Sequence, residues 1–375
     1  MSEGLRLVIV QPYVPKYRVD FFERLIERLA YQGIDCLVAA AEPTGEQKAR
    51  SDAVTPSWVR TVPNRTVGFA GRTLTLGGSR SIWKNADGIV VGHLGSSLDT
   101  YGALLKGKFG KAKVGLWGHI KSYVQGANPL DAALERWQLR NADHVFAYTP
   151  GGAAYAVQHG VLEERVTTVM NSINSEALES SFAAVKPSAV EGLRERFGLV
   201  PGRTLAFIGG LDESKRISFL AAALDLLWDS DPDVRVLVAG RGSQDHLLNA
   251  AEARGQAVML GYADTPLQAL IGATSEAILM PGRIGLIAVE ALVLRRPIIT
   301  TDWPYHAPES EYLVEGQSRI TTPDDPFAYA AAVSNYLRSK ACISDPCASE
   351  HGWWYPTLTG MVDNFAEGVL KMMKS

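Results

Sequence analysis

The sequence is short of the features that several protein classes require. Among its 375 residues there are only three cysteines, Cys36, Cys342 and Cys347, which are too few for a disulfide framework and favour a reducing compartment. The 37 lysines and arginines are nearly balanced by 40 aspartates and glutamates, so no overall positive field would attract nucleic acid. No apolar run approaches the roughly 18 residues of a membrane span, and no small-residue cleavage site follows the N-terminal run. We therefore expect a cytoplasmic protein that neither spans a membrane nor binds nucleic acid.

Short apolar runs alternate with amphipathic stretches along most of the chain. The runs 5–10 and 34–40 enclose a helical stripe that includes Phe21, Phe22 and Leu25, and the same order recurs several times. This alternation predicts an α/β fold in which helices cover both faces of a parallel sheet. Because 375 residues exceed the length that one core usually serves, we expect two such doubly wound domains.

The alternation weakens once, among small and charged residues, and this break sets the predicted domain boundaries. We expect residues 1–180 to form the first domain and 181–200 to form a linker. Residues 201–355 should form the second domain, and 356–375 a last helix that crosses back onto the first.

Familiar cofactor and metal motifs are incomplete in this sequence. The turn after the first apolar run, 11–17, has none of the glycines that a dinucleotide pyrophosphate needs. Gly102, Gly107 and Lys108 imitate a phosphate loop, but Phe109 stands where a magnesium-binding hydroxyl is required. Cys342 and Cys347 have no His/Cys pair at zinc spacing. We therefore expect neither a bound metal nor a resident cofactor.

The most informative segment is 277–292, which is predicted to be a strand, a Pro-Gly turn and a helix. Ligands of doubly wound sheets bind at the carboxyl ends of the strands, where the amides of 283–286 would meet a diphosphate. Glu290 lies further along the helix and could hydrogen-bond a ribose diol. A carboxylate that merely faces solvent is an equally open interpretation of Glu290.

Several segments together resemble the retaining glycosyltransferases of family 4, which have the GT-B fold. In the second half, the run FIGGLDESK ends at Lys215, shortly after the predicted linker, and it precedes the strand-turn-helix segment. The other similar segments are PYVPKYRVDFFERL (12–25), LWGH (116–119), ADH and AYT within 142–149, NSIN (171–174) and HAPESEY (306–312). The resemblance covers nearly the whole chain, with the motifs in the family's order.

This resemblance implies a GT-B architecture of two facing Rossmann-like domains with an interdomain cleft. It implies that a hexose or deoxyhexose moves from a nucleoside-diphosphate sugar, the co-substrate, to a glycan, glycolipid or natural-product acceptor, as in polysaccharide biosynthesis. Metal-independent front-face attack would retain the anomeric configuration. Lys215 and His119 would be the catalytic residues, with His119 near the anomeric carbon unless it is merely structural. The implied donor-binding residues are Gly209, Gly210, Lys215, Gly282, Arg283, Ile284, Gly285, Leu286 and Glu290.

Two positions depart from the family pattern. Gly282 stands where the family has the first of two glutamates, which contacts hydroxyls of the donor sugar, and Gly210 stands where it has an arginine that assists the diphosphate. The first departure points towards a donor with altered or missing hydroxyls, such as a deoxysugar. Three arginines, Arg241, Arg283 and Arg296, are candidates to replace the missing one.

The acceptor is expected against the first domain, near the loop after the first strand. The side chains Tyr13, Lys16, Tyr17 and Arg18 suit stacking on a sugar ring and pairing with an anionic group. Residues 100–130 carry five lysines and no acidic residue, and we expect them to flank the same site. Four of these lysines, Lys106, Lys108, Lys111 and Lys113, form either an ordinary solvated face or a contact with an anionic membrane surface.

Three other functions stay open at this stage. A nucleotide-sugar epimerase of the GT-B fold would need no acceptor. A phosphorylase of that fold would need inorganic phosphate or a pyridoxal lysine. A catalytically silent nucleotide-binding subunit would explain the departures at Gly210 and Gly282.

Overall fold

The structure is a computed structural model that describes residues 4–43, 52–69, 72–121, 123, 129–340 and 353–374. Cys342 and Cys347 lie outside these residues. The chain divides into two compact units, unit 1 with residues Met1–Ile173 and Thr357–Ser375, and unit 2 with residues Asn174–Pro356. None of the described helices is both long and apolar enough to cross a membrane.

Unit 1 is built on a seven-stranded parallel sheet with the strand order β3-β2-β1-β6-β7-β8-β9. A separate antiparallel hairpin pairs β4 with β5. The strands are β1 (Leu5–Gln11), β2 (Ile34–Ala40), β3 (Val59–Thr61), β4 (Asn64–Phe69), β5 (Arg72–Gly77), β6 (Gly88–Gly92), β7 (Lys113–Gly118), β8 (His144–Ala147) and β9 (Val166–Thr168). The helices are α1 (Val19–Ala30), α2 (Leu98–Phe109), α3 (Pro129–Asn141), α4 (Pro150–Gln158) and α12 (Leu358–Lys374).

Unit 2 is built on a six-stranded parallel sheet with the strand order β12-β11-β10-β13-β14-β15. The strands are β10 (Thr204–Ile208), β11 (Arg235–Ala239), β12 (Ala257–Gly261), β13 (Ile278–Leu279), β14 (Ile298–Thr301) and β15 (Arg319–Thr322). The helices are α5 (Ser175–Ala183), α6 (Pro187–Phe197), α7 (Ile217–Ser230), α8 (Asn249–Ala253), α9 (Thr265–Thr274), α10 (Ile287–Val293) and α11 (Pro326–Lys340). The two parallel sheets confirm the predicted pair of doubly wound α/β domains.

The core of unit 1 includes side chains from both ends of the chain. Phe21 and Leu25 of α1 are fully buried, and so are Phe365 and Val369 of α12. The rings of Phe21 and Phe365 meet edge to face with centroids 5.6 Å apart, a geometry that adds to the apolar burial. The last helix is therefore part of the hydrophobic core of unit 1.

The linker predicted over 181–200 is not a linker in the structure. These residues complete α5 and form α6, and both helices belong to unit 2. Pro187 begins α6, Gly198 ends it in a left-handed conformation with φ 59°, and Leu193 is its buried residue. A short helix with one buried residue has the same small and charged composition as a linker, which explains the error. The chain passes between the units after Ile173 and after Pro356.

Candidate functional site

Two neighbouring strands of unit 2 carry the predicted donor-binding residues at their carboxyl ends. The loop after β10 runs from Gly209 to Lys215, and the loop after β13 leads through Gly282 into α10. The strands pair directly, with Ala206 opposite Ile278, so both loops leave the same edge of the sheet. A Cβ atom on Gly209 would lie 3.6 Å from Cε of Lys215, which places both ends of the first loop together.

The two loops pack backbone against backbone at Gly282. A Cβ atom there would lie 2.5 Å from the carbonyl carbon of Lys215 and 2.6 Å from the carbonyl oxygen of Ser214, closer than real Cβ atoms come. The next residue, Arg283, donates its backbone N–H to the Ser214 carbonyl at 2.8 Å. Gly282 is therefore required by this packing, and the space that a longer side chain would need is filled by main chain.

Lys215, Arg283 and Glu290 come together where the two loops meet. The Lys215 ammonium donates a hydrogen bond to the backbone carbonyl of Arg283. Burial raises the pKa of Glu290 to about 7, against the opposing effect of the Lys215 charge, although part of the Glu290 side chain stays exposed. Near neutral pH the Glu290 carboxyl group therefore exists in both protonation states.

The expectation that all four amides of 283–286 face a ligand is wrong for two of them. The N–H of Arg283 is already donated to Ser214, and the N–H of Ile284 is donated to Nδ1 of His306 at 3.2 Å. Within the described part of the chain, the amides of Gly285 and Leu286 have no hydrogen-bond acceptor. The sequence pattern could not show this difference, because the acceptors lie in loops that follow other strands.

The arginines considered as replacements for a loop arginine occupy different places. Arg283 donates from Nη1 to the backbone carbonyl of Tyr305 at 3.1 Å and stays beside the loops. Arg296 donates to the carbonyl of Gly272 at 2.7 Å and follows the far end of α10, so this candidate is wrong. Arg241 lies over Gly261 at the end of β12.

Gly210 has room for part of a side chain only if Asp212 moves. A Cβ atom on Gly210 would lie 3.1 Å from Oδ2 of Asp212, which is tighter than most Cβ contacts. Asp212 is held by the Ser214 hydroxyl at 2.5 Å. The loop after β10 therefore favours a small residue at position 210.

His119 follows β7 in unit 1 and packs among aromatic rings. Its imidazole meets the Tyr148 ring edge to face at 5.0 Å and the Tyr123 ring at 6.0 Å, and its side chain is partly exposed. Another histidine, which no sequence motif indicated, follows the neighbouring strand β6. His93 is buried and donates from Nε2 to the Glu135 carbonyl at 3.0 Å, and burial lowers its pKa to about 4. His93 is therefore neutral and fixed, whereas the side chain of His119 is partly exposed.

The sequence predicts that Arg18 contacts the acceptor, but its side chain points into unit 1. Its side chain is 4% exposed and donates to the Asn171 side chain, to the Ser172 carbonyl at 3.5 Å and towards Sδ of Met361 at 3.3 Å. Its guanidinium also lies 5.1–5.8 Å from the centres of four aromatic rings, those of Tyr17, Phe21, Trp117 and Tyr148. The sequence could not show this, because Asn171 and Met361 are distant along the chain.

The other residues predicted for the acceptor remain at the surface. Lys16 is exposed, Tyr17 is 45% exposed and Tyr13 is partly exposed. The loop that carries them is anchored by main-chain bonds, from Lys16 N–H to the Asp52 carbonyl at 2.8 Å and from Val54 N–H to the Val14 carbonyl at 3.0 Å.

Of the five lysines expected to flank that loop, Lys106, Lys108, Lys111 and Lys113 lie at the other edge of the sheet, whereas Lys121 follows the carboxyl end of β7, next to His119. Lys113 begins β7, and Lys106 donates to the carbonyl of Lys84, which precedes β6. They therefore lie at the amino ends of the strands, whereas His119 follows the carboxyl end of β7. The six residues of β7 separate the two edges by about 17–20 Å. These lysines lie at the amino ends because the chain from the end of α2 leads directly into the start of β7.

Two strained backbone positions adjoin the two residues predicted to be catalytic. Among the described residues, four that are not glycine have positive φ: Ile120 (67°), Met170 (58°), Arg216 (56°) and Arg295 (53°). Ile120 directly follows His119 and Arg216 directly follows Lys215, while Met170 precedes Asn171, the buried partner of Arg18. Left-handed conformations cost energy for side-chain-bearing residues and concentrate at functional sites. No pattern in the sequence predicted these four positive φ angles.

No group of three or more His, Cys, Asp or Glu side chains that could hold a metal ion occurs among the residues that the structure describes. The expectation that the protein acts without a metal remains a prediction.

Family models match both units of the chain. Residues 21–177 match the model described as Glycosyltransferase Family 4, and residues 202–339 match the model described as Glycosyl transferases group 1. Taken together, the two models span most of the sequence.

Two kinds of curated relative match parts of the chain. A phosphatidyl-myo-inositol mannosyltransferase of Mycolicibacterium smegmatis is 29% identical over 143 residues, which cover 36% of this chain and 36% of that protein. A glycogen synthase of Mycobacterium tuberculosis is 27% identical over 246 residues, which cover 62% of this chain and 53% of that protein. The matched segments thus span 36% and 53% of the length of these relatives.

Solved structures resemble the chain over almost its whole length. Anabaena Alr3699/HepE in complex with UDP and glucose matches with a TM-score of 0.67 and 13% identity, covering 98% of this chain and 99% of that one. The UDP-GlcNAc 2-epimerase from Methanocaldococcus jannaschii matches with a TM-score of 0.60 and 15% identity, covering 98% and 99%. At such identities the likeness establishes a common fold.

Proposed function

The chain belongs to the family 4 glycosyltransferases, and from this premise we propose that it transfers a sugar from a nucleoside-diphosphate sugar to a glycan, glycolipid or natural-product acceptor. The observation that carries the proposal is the meeting of Lys215, Glu290 and the Gly285 and Leu286 amides at one edge of unit 2. An ammonium, unsatisfied amides and a carboxyl group are the groups that a diphosphate and a ribose require.

Each group has a distinct role in the proposed donor site. The amides of Gly285 and Leu286 bind the diphosphate, and Glu290 accepts hydrogen bonds from the ribose hydroxyls. Lys215 stabilises the negative charge that grows on the nucleoside diphosphate as it leaves. Alr3699/HepE, solved with UDP and with UDP-glucose, has a similar fold, which supports a donor of this class.

The donor sugar is a hexose or deoxyhexose that needs no carboxylate from position 282. Main chain of Ser214 and Lys215 fills the space beside Gly282, so hydroxyls there meet carbonyl oxygens or solvent instead of an acidic side chain. A sugar that lacks one hydroxyl loses little binding free energy in such a site, because no buried partner is then left without a hydrogen bond.

The acceptor site of this proposal lies on unit 1, with the exposed side chains of Lys16 and Tyr17 and the partly exposed side chain of His119. In the proposed reaction the bond between the anomeric carbon and the phosphate oxygen breaks, and the acceptor oxygen bonds to the same face of that carbon. The departing phosphate takes the acceptor's proton. His119 stabilises the sugar as positive charge develops, and neither a metal nor a cofactor takes part.

The first test is a thermal-shift series with nucleoside diphosphates. The nucleoside diphosphate that stabilises the protein most identifies the base, and sugars linked to that nucleoside diphosphate are then used as donors in product analysis. A ligand at about a hundred times its dissociation constant should add about 2.7 kcal/mol to the free energy of unfolding. We expect a product of retained anomeric configuration, formed equally well in EDTA. A product of inverted configuration, or activity that EDTA abolishes and a divalent metal restores, would contradict the mechanism.

A nucleotide-sugar epimerase is the second candidate, because an epimerase fold covers 98% of this chain. Incubating the selected nucleotide sugar without any acceptor separates the two functions. The isomerised sugar would favour the epimerase, and its absence together with glycosylated acceptor favours the transferase. Binding without either product would instead indicate a catalytically silent subunit.

We also propose that unit 1 contacts an anionic membrane surface through a basic patch at the amino edge of its sheet. Phe109, at the end of α2, is 82% exposed, and Lys108 and Lys111 are exposed beside it. Lys106 is partly exposed on the preceding turn. An exposed aromatic ring among cations suits the interface of an anionic bilayer. Lys113 does not belong to this patch, because its ammonium lies 3.8 Å from the Asp143 carboxylate.

A further inference from the structure

The loop 282–286 of unit 2 is held on a second side by the segment after β14. Ala307 donates its backbone N–H to the Ile284 carbonyl at 2.8 Å, and the imidazole of His306 accepts the Ile284 N–H at 3.2 Å. Ile284 is itself fully buried. Both polar groups of this one residue are therefore fixed by two consecutive residues of another loop.

The partners of His306 determine which of its nitrogens carries the proton. Nε2 lies 3.1 Å from the Thr301 carbonyl, which can only accept, while Nδ1 faces the Ile284 N–H, which can only donate. Both bonds exist together only in the neutral ring that is protonated at Nε2. An imidazolium would lose the bond to Ile284, because it has no acceptor to offer.

The surroundings of His306 favour this neutral ring. Burial lowers the pKa of His306, and the charges of Arg319, Lys215 and Arg283 lower it further, while the hydrogen bond to the Thr301 carbonyl opposes them. Glu290 also lies beside Lys215 and titrates near pH 7. His306 is therefore neutral at neutral pH and gains its proton only in acid.

Fixing the Ile284 carbonyl also sets the direction of the next amide. The Ile284 C=O and the Gly285 N–H belong to one planar trans peptide unit, in which they point in opposite directions. Since the carbonyl points at Ala307, the Gly285 N–H points away from that segment, and it has no acceptor among the described residues. This amide is one of the two that the proposed function assigns to the diphosphate.

We propose that His306 is the positioning residue of the donor loop, which holds Ile284 so that the Gly285 amide is directed at the diphosphate of the ligand. The identity of the ligand rests on the proposed function. The contact between His306 and Ile284 is a property of the ligand-free protein and can be tested without it.

Three substitutions separate the two bonds of His306. In His306→Asn the side-chain oxygen can take the place of Nδ1 and accept from Ile284. In His306→Gln the amide can replace Nε2 towards Thr301 but leaves Ile284 without an acceptor, and His306→Phe keeps a ring and loses both bonds. His246→Phe, at an exposed histidine of unit 2, is the matched control.

The deciding measurement is hydrogen exchange of the Ile284 amide in the ligand-free protein, followed by titration with UDP. We expect protection of Ile284 to fall at least tenfold in the Gln and Phe variants, and to persist in the Asn variant and the control. The dissociation constant for UDP should rise about tenfold in the same two variants, as expected for a displaced amide. In the wild type, affinity for UDP-glucose, whose diphosphate does not titrate in this range, should fall at acid pH, and His306→Phe should lack the part of this fall that comes from His306 while keeping the change near pH 7 from Glu290.

The outcomes distinguish the two proposals. Unchanged protection of Ile284 in folded His306→Gln would overturn the positioning role, whether or not UDP binds. Lost protection with unchanged UDP affinity would also overturn it, since the loop would then not serve the ligand. If the wild type binds no nucleotide at all, the proposed function fails. The loop that His306 holds would then not be a donor loop.

Discussion

The loops predicted to hold the donor and the loop predicted to hold the acceptor differ in where the structure places their charged side chains. In unit 2, Lys215, Arg283 and Glu290 converge where two paired strands end. In unit 1, Arg18 turns inward and four of the five lysines lie at the opposite edge of the sheet. The difference arises because the donor residues belong to two short motifs on adjacent strands. The acceptor residues were chosen by composition, which does not distinguish the two edges of a sheet.

The largest effect that tests this comparison is expected at Arg18. Arg18→Ala removes the donor to Asn171 and Ser172 and leaves a cavity among aromatic rings. We expect the free energy of unfolding to fall by about 3 kcal/mol, measured by urea denaturation. Lys16→Ala, two residues earlier and exposed, should change it by less than about 0.5 kcal/mol.

A ligand-binding Arg18 would behave differently. Such a residue could be removed with little loss of stability, and the effect would appear as a raised KM for the acceptor. Equal stabilities for Arg18→Ala and Lys16→Ala would therefore contradict the buried role of Arg18.

The next effect concerns the two glycines of the donor loop. Gly282→Ala places a Cβ atom 2.5–2.6 Å from main chain, so the loops must separate. We expect a loss of about 2 kcal/mol in stability and of most UDP binding. At Gly285 the nearest atom to an added Cβ is Cβ of Ala307 at 4.0 Å, so Gly285→Ala should fold like the wild type.

Calorimetric titration with UDP and urea denaturation check this pair. Gly282→Glu should be no better than Gly282→Ala, because the first side-chain carbon already collides. Recovery of binding in Gly282→Glu would show that the loop opens to admit a carboxylate, and would contradict the packing argument.

Much of the fold and of the donor site could be predicted from the sequence, and the remainder has identifiable causes. Apolar runs such as 5–10 and 204–208 predict buried parallel strands, and both sheets follow from their alternation. The pairing of Ile284 with His306 could not be predicted, since periodicity does not tell which loops meet. The position of Lys113 could have been predicted from the sequence, because a residue that begins a strand lies at the amino end of that strand. The helix Pro187–Phe197 was missed because only one of its residues is buried.

A smaller effect is expected from the titration of Glu290. Its pKa is raised from 4.5 to about 7, so the carboxylate forms as pH rises from 6 to 8. A carboxylate accepts stronger hydrogen bonds from ribose than the neutral acid does, so affinity for UDP-glucose should rise by up to about tenfold over this range. UDP-glucose is the suitable probe because its diphosphate does not titrate there. Glu290→Gln should show no such rise in calorimetric titration.

The same carboxyl group should also affect stability, with the opposite dependence on pH. Between pH 4.5 and about 7 the folded state keeps a proton that the unfolded state has lost. The free energy of unfolding of the ligand-free protein therefore decreases through this window as pH rises, and less so in Glu290→Gln. Identical pH profiles for the two proteins, in both binding and unfolding, would remove Glu290 from the site.

The smallest effect on catalysis is expected from the basic patch of unit 1, although its effect on membrane binding should be large. Each lysine near an anionic surface contributes on the order of 1 kcal/mol, and salt weakens this attraction. Changing Lys106, Lys108 and Lys111 to Ser should therefore abolish co-sedimentation with anionic vesicles at low salt. Because the patch lies at the amino edge, away from His119, kcat/KM for a water-soluble acceptor should not change.

Phe109→Ser should weaken vesicle binding with little dependence on salt. Equal, salt-insensitive recovery of all variants would leave these lysines as a solvated face, and a lower kcat/KM in the triple variant would mean that the acceptor reaches the amino edge after all.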